Sequence, residues 1–130
     1  MDEKFTEATK NRPEGNRALD APLVTIDLRH FIAQIKEEEQ WKRTDRNAIT
    51  VFKSLVMRIV LIALHKGAEM KPHTATGTVS VQVVEGEMQF TTDDQTIVLS
   101  AGEMLVLQEG IPHSVLAKTE TVFLLTLTTV

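Results

Sequence analysis

Cysteine is missing from all 130 residues of the chain. Disulfides, thiolate metal sites and cysteine nucleophiles are therefore excluded. The sequence also lacks the G-x-S-x-G nucleophile elbow, the glycine-rich phosphate loop and the H-E-x-x-H zinc helix. These absences count against three common kinds of enzyme chemistry, namely serine hydrolysis, phosphoryl transfer and zinc proteolysis.

Positive charge is also in short supply. Lysine and arginine number 14 against 18 acidic residues, which gives a net charge of -4, and no basic stripe is present to neutralise phosphates. We therefore expect no nucleic-acid partner. The longest apolar run, residues 59–64, is far shorter than the roughly 20 residues that cross a bilayer, and the polar N-terminus has no signal-peptide core. These features predict no membrane partner and a cytoplasmic location.

The length predicts one domain with a single core. Residues 1–20 are polar and have no hydrophobic period, so we interpret them as an arm that precedes a barrel domain over residues 21–130. Residues 23–27 could form a short edge strand. Apolar residues then recur at helical spacing behind the potential cap Asp27, which predicts a helix over about residues 28–40. Trp41 follows it and is expected to plug the core.

The rest of the chain alternates short apolar runs with turn residues, which is typical of an antiparallel barrel or sandwich. The predicted strands cover residues 48–53, 57–65, 78–85, 87–92, 95–99, 104–107 and 122–127. The second of these is apolar on both faces, so a sheet, a helix or another subunit should cover its outer side. A homodimer is expected on this ground. Arg58 is the one charge in that strand, and it indicates an edge position, a salt bridge or an anion clamp.

Two histidines stand out because each follows a proline. His73 and His113 lie at the two ends of the best-patterned segment, each beside an expected strand entry. On composition alone, both could be hydrogen-bonded residues at a barrel mouth. A shared cavity is the alternative.

The spacing of these residues resembles the cupin family. Gly67, His73, Ala75, Val79 and Gly86 match the first cupin motif, which normally reads glycine, His-x-His, glutamate, glycine. The second motif follows as Gly102, Gly110 and His113, listed here in chain order. The resemblance implies a small, single-domain, RmlC-like protein: an antiparallel double-stranded β-helix, or jelly-roll barrel, with a short N-terminal helix. It also implies that both imidazoles face one cavity.

The departures from the family pattern concern metal binding. The resemblance implies that the metal positions are His73, Ala75, Val79 and His113, so a methyl group and an isopropyl group stand where a histidine and a glutamate are usual. Zinc sites keep at least three protein ligands, and non-haem iron needs two histidines with a carboxylate. We therefore expect no tightly bound cofactor. A weakly bound divalent metal (Zn, Fe, Mn or Ni) on His73 and His113 would need help from Glu69, Met70, Gln82 or a substrate anion.

Three classes of function remain open at this level. The first is a small-molecule-binding or sensing protein, whose site consists of His73, His113, Ala75, Val79, Val81 and Met70. The second is a metal-dependent enzyme, such as a dioxygenase or isomerase, in which the two histidines act with an unidentified ligand. A third class, a structural or partner-binding module, would be indicated by a cavity filled with side chains. Whether the protein is an enzyme is left undecided by these residues.

Overall fold

The computed structural model describes residues 19–128, so all but the last two residues of the arm predicted over residues 1–20 lie outside the described part. Two short helices precede nine strands. Their bounds are α1 Leu28–Glu37, α2 Glu39–Arg43, β1 Arg46–Lys53, β2 Met57–Leu64, β3 Glu69–His73, β4 Val79–Glu85, β5 Glu87–Thr92, β6 Thr96–Ser100, β7 Met104–Leu107, β8 His113–Ala117 and β9 Thr121–Thr128. The predicted strands are present to within two residues at each end. The predicted edge strand at residues 23–27 is wrong, because that segment has no strand pairing.

The strands form two antiparallel sheets that face each other. The larger sheet has the order β1-β2-β9-β4-β7, and the smaller has the order β3-β8-β5-β6. Consecutive side chains of a strand point to opposite faces, so every second residue enters the space between the sheets. Val79, Val81 and Val83 of β4 are buried there, as are Met88 and Phe90 of β5. The expected all-β jelly-roll barrel with a short N-terminal helix is thus confirmed.

The two helices cover the outer face of the larger sheet over β1, β2 and β9. A second buried cluster joins Ile35 of α1 and Trp41 of α2 to Leu61, Ala63 and Val122 of the sheet. The outer face of β2 is therefore apolar because helices of the same chain pack on it. Trp41 packs on the core as expected and stacks on His65, with ring centroids 3.4 Å apart.

The predicted helix over residues 28–40 is broken at Glu38. Asp27 caps α1 as expected, since its Oδ1 accepts hydrogen bonds from the backbone amides of Arg29 and His30. At the other end, the buried Asn47 of β1 donates from Nδ2 to the carbonyl oxygen of Ile35 and to Glu38 Oε1. These contacts satisfy a C-terminal carbonyl of α1 from outside the helix, so the chain leaves the helical path there.

The strands β3 and β7 end, and the strands β4 and β8 begin, at the same end of the barrel. We call this the histidine end. Two loops close it, residues 74–78 and 108–112, and they are joined by a hydrogen bond from the Gly110 amide to the Ala75 carbonyl of 3.0 Å. The Thr128 amide donates to the Thr78 carbonyl at 3.1 Å, which ties the end of β9 to the same region. The two proline-flanked histidines lie at this end.

Within residues 19–128, the helices are all too short and too polar to cross a membrane.

Candidate functional site

His73 and His113 are directly opposite each other on neighbouring strands. His73 is the last residue of β3 rather than a strand entry, and it pairs with His113, the first residue of β8. Their ring centroids are 4.3 Å apart and their planes are inclined by 60°. The structure therefore brings together two residues that lie far apart in the sequence. Their role as ligand-binding residues stays a prediction.

Both rings are held in the same way by the backbone. His73 Nδ1 lies 2.8 Å from the carbonyl oxygen of Lys71, and His113 Nδ1 lies 2.9 Å from that of Ile111. In each case a proline separates acceptor and histidine. A carbonyl oxygen can only accept, so Nδ1 carries the proton in both rings. In the neutral rings Nε2 is therefore a lone-pair acceptor.

The Nε2 atom of His73 is buried and has no hydrogen-bond partner among the described residues. Leaving such an acceptor unsatisfied costs about 1–3 kcal/mol. A cost of this size in a folded protein calls for an explanation, and a ligand that supplies a hydrogen-bond donor or a cation is the simplest one.

His113 rests on an aromatic ring that our sequence-based prediction missed. Phe90 of β5 stacks on it with ring centroids 5.3 Å apart and an angle of 12° between the planes. Strand alternation from Met88 would have indicated that Phe90 points inward. Burial lowers the pKa of the His113 imidazole below its usual value of 6.5, and nearby His73 adds to the lowering, while the hydrogen bond to the Ile111 carbonyl opposes it. His113 is therefore held in its neutral form.

The four apolar residues predicted for the site all belong to the cluster inside the barrel. Met70, Val79 and Val81 are buried in it, and Ala75 of the loop 74–78 packs against it. Val79 pairs with Leu107 on one side and Leu127 on the other. The position where the family resemblance implies a carboxylate is thus surrounded by hydrocarbon.

Two of the three suggested extra ligands point away from the interior. Glu69 and Gln82 are exposed, whereas Met70 is buried. Across residues 19–128, three or more His, Cys, Asp or Glu side chains nowhere gather closely enough to hold a metal ion. The available donors at this site are two neutral imidazoles in apolar surroundings, and they fit a resident divalent ion poorly, because no carboxylate offsets its charge.

Comparison with protein families gives one match, to the family described as the Cupin domain, over residues 60–128. No relative among curated proteins matches the chain.

Solved structures share the fold. A conserved protein of unknown function from Streptococcus pyogenes is 25% identical with a TM-score of 0.64, and the match covers 68% of this chain and 77% of that one. An RmlC-like cupin from Desulfovibrio desulfuricans is 30% identical with a TM-score of 0.59, over 65% of this chain and 82% of that one. A variant of salicylate 1,2-dioxygenase from Pseudoaminobacter salicylatoxidans is 18% identical with a TM-score of 0.72, over 89% of this chain and 38% of that one, and this likeness concerns the fold alone.

Proposed function

Because the chain belongs to the cupin family, we propose that its barrel binds one small organic molecule at His73 and His113 without a tightly held metal. The observation behind this proposal is the buried, unpartnered Nε2 of His73. A hydrogen-bond donor on the ligand would satisfy that atom. The remainder of the ligand would contact Phe90, Val79 and the apolar cluster around them.

The backbone contacts of the two histidines support the binding role. Each imidazole has only one free nitrogen, and the carbonyls of Lys71 and Ile111 hold the rings in fixed orientations. An orientation fixed before binding lowers the ordering cost when the ligand arrives. A ligand hydroxyl or N–H group could therefore be recognised by a preformed pair of acceptors.

A metal-dependent cupin enzyme is the second candidate function. One observation favours it: the carbonyl contacts imply the tautomer with Nδ1–H and a free Nε2 in both rings, and metal-binding histidines also adopt this tautomer. This chain would then provide two imidazoles, and substrate oxygens would have to complete the ligand set. The missing carboxylate is the reason that we rank this function second.

Phenol is a suitable probe, since it carries one hydroxyl donor on an apolar ring. Metal-free protein is titrated with phenol while the imidazole ¹⁵N resonances are recorded. We expect the Nε2 resonance of His73 to shift in a saturable way, and we expect His73→Ala to abolish binding. His30→Ala is the matched control, because His30 is exposed on α1 outside the barrel.

Metal content separates the two candidates. Protein purified without chelator should contain far less than one equivalent of zinc, iron, manganese and nickel combined. One full equivalent that is lost in His113→Ala but kept in His30→Ala would favour the enzyme, as would the absence of any phenol-induced shift at His73.

A further inference from the structure

Arg58 is a charged residue on the inner face of the barrel wall. In β2, Val60, Ile62 and Leu64 are buried inside the barrel, whereas Leu61 and Ala63 are buried under the helices. Strand alternation places Arg58 on the same face as the first group. Arg58 pairs with Leu127 of β9, and Leu127 pairs with Val79 of β4. Because Val79 begins β4 at the histidine end, Arg58 also lies at that end.

The two ordinary explanations for a charge in this strand do not hold. Arg58 is not at a sheet edge, because β2 lies between β1 and β9. It has no salt bridge either: within residues 19–128 its guanidinium forms no ion pair and no side-chain hydrogen bond, although the residue is half-buried. A partly buried cation without a counter-charge is available to an anionic ligand group.

The inward-facing positions of the described strands contain no acids, and the residue beside Arg58 is the exposed Lys53. Lys53 pairs with Arg58 at the same end, and the two imidazoles lie on the opposite sheet. No Asp or Glu of the described strands occupies a position whose side chain points into the barrel. Glu69 and Glu85, for example, are on outer faces. The acids near the histidine end stand in exposed turns: Asp93, Asp94 and Glu109. A negatively charged ligand group at Arg58 would therefore meet no carboxylate on the inward-facing strand positions.

The imidazoles and the Arg58 guanidinium bind different kinds of ligand atom. A neutral Nε2 lone pair accepts a hydrogen bond and so needs a donor, while a guanidinium donates and binds a carboxylate in bidentate geometry. We infer that the ligand is a hydroxylated organic acid, whose hydroxyl donates to His73 and whose carboxylate is bound by Arg58. This inference rests on the proposed function, since it names the chemical class of the molecule at that site.

The test compares phenol with the ortho, meta and para isomers of hydroxybenzoate, using the same ¹⁵N titration of metal-free protein. We expect the best-fitting isomer to bind at least about tenfold more tightly than phenol, because a hydrogen bond to a charged group is added. Arg58→Met should remove this gain and leave the affinity for phenol unchanged. Arg58→Lys should keep part of it, and Arg29→Met on the exposed surface of α1 is the control.

The outcomes distinguish this inference from the proposed function. If phenol binds and no isomer binds more tightly, or if Arg58→Met leaves the gain intact, the hydroxy-acid inference is overturned and the proposed function stands. If neither phenol nor any isomer shifts His73 Nε2, the proposed function has failed. Equal loss of phenol and hydroxybenzoate in Arg58→Met, with an unchanged melting temperature, would also overturn the inference.

Discussion

A histidine whose Nδ1 nitrogen is tied to a backbone carbonyl has one nitrogen left for chemistry, and here two such rings lie side by side. The sequence allowed the pairing of His73 and His113 to be predicted from motif spacing. It did not reveal the carbonyls of Lys71 and Ile111 as partners, because those contacts depend on the local backbone path at each proline. It also could not show that the Nε2 atom of His73 is buried, because burial is set by the surrounding strands.

Protonation of His113 should make stability depend on pH. Its folded pKa lies below the usual 6.5 because the ring is buried, so between the two values the unfolded chain binds more protons than the folded one. The contribution of neutral His113 to the free energy of unfolding is therefore complete above the ordinary pKa of 6.5. It is lost as the pH falls through the lowered pKa of the folded state. Urea unfolding should give a lower free energy of unfolding at about pH 5 than at about pH 8. This difference should be smaller in His113→Gln. An unchanged pH dependence in this variant, with His30→Gln as control, would contradict the assignment.

Space at the histidine end is tight around Gly77. A Cβ atom there would overlap the backbone carbonyl of Thr128, which cannot move without disturbing the end of β9. Gly77→Ala should therefore destabilise the protein by about 1–3 kcal/mol in urea unfolding. Gly102→Asn is a fair comparison, since nothing lies near that position and asparagine tolerates its positive φ. Equal stability of Gly77→Ala and the wild type would show that the loop 74–78 packs differently.

At the scale of elements, regular alternation was the reliable guide. Strands β4, β5 and β7 were predicted to within one residue, since each alternates inward apolar residues between clear turns. β3 was not predicted, because Pro72 and the register shift between Met70 and His73 remove its alternation. The predicted end of α1 was wrong for a different reason. Asn47 of β1 contacts the last turn of this helix, and the spacing of residues within the helix does not indicate such a contact.

Asn47 should accordingly be important for the helical layer. Its side-chain amide is buried and satisfies both the Ile35 carbonyl and the Glu38 carboxylate. Asn47→Ala should lower the free energy of unfolding by about 1–3 kcal/mol, because the buried acceptor of Ile35 loses its donor. The single tryptophan, Trp41, lies in the adjacent helix and provides the fluorescence signal. Gln40→Ala on the exposed side serves as control, and an equal, small effect of both variants would contradict this account.

At the scale of the whole molecule, the helices change the argument for a homodimer. The apolar outer face of β2 was one reason to expect a second subunit, and α1 and α2 cover that face within the chain. A different surface now supports the same prediction. On edge strand β7, Met104 and Val106 are 54% and 63% exposed, and the neighbouring outer residues of β4, Ser80 and Gln82, are uncharged.

We propose that a second copy covers this outer face of β4 and β7. In a chain of net charge -4, two copies would repel each other least where both surfaces are free of charge. Sedimentation equilibrium should give the mass of a dimer, and Val106→Lys should shift it toward the monomer. Val98→Lys, on edge strand β6 of the other sheet, is the matched control. A wild-type mass equal to one chain at all concentrations would rule the dimer out.

The most direct test of metal-free ligand binding is a crystal structure of protein purified without chelator and soaked with the tightest-binding hydroxybenzoate isomer, with diffraction recorded at the absorption edges of zinc and iron. We expect organic density inside the barrel, with a hydroxyl within hydrogen-bond distance of His73 Nε2, a carboxylate at Arg58 and no anomalous peak between the imidazoles. A fully occupied metal ion held there by His73, His113 and further protein ligands would contradict this expectation.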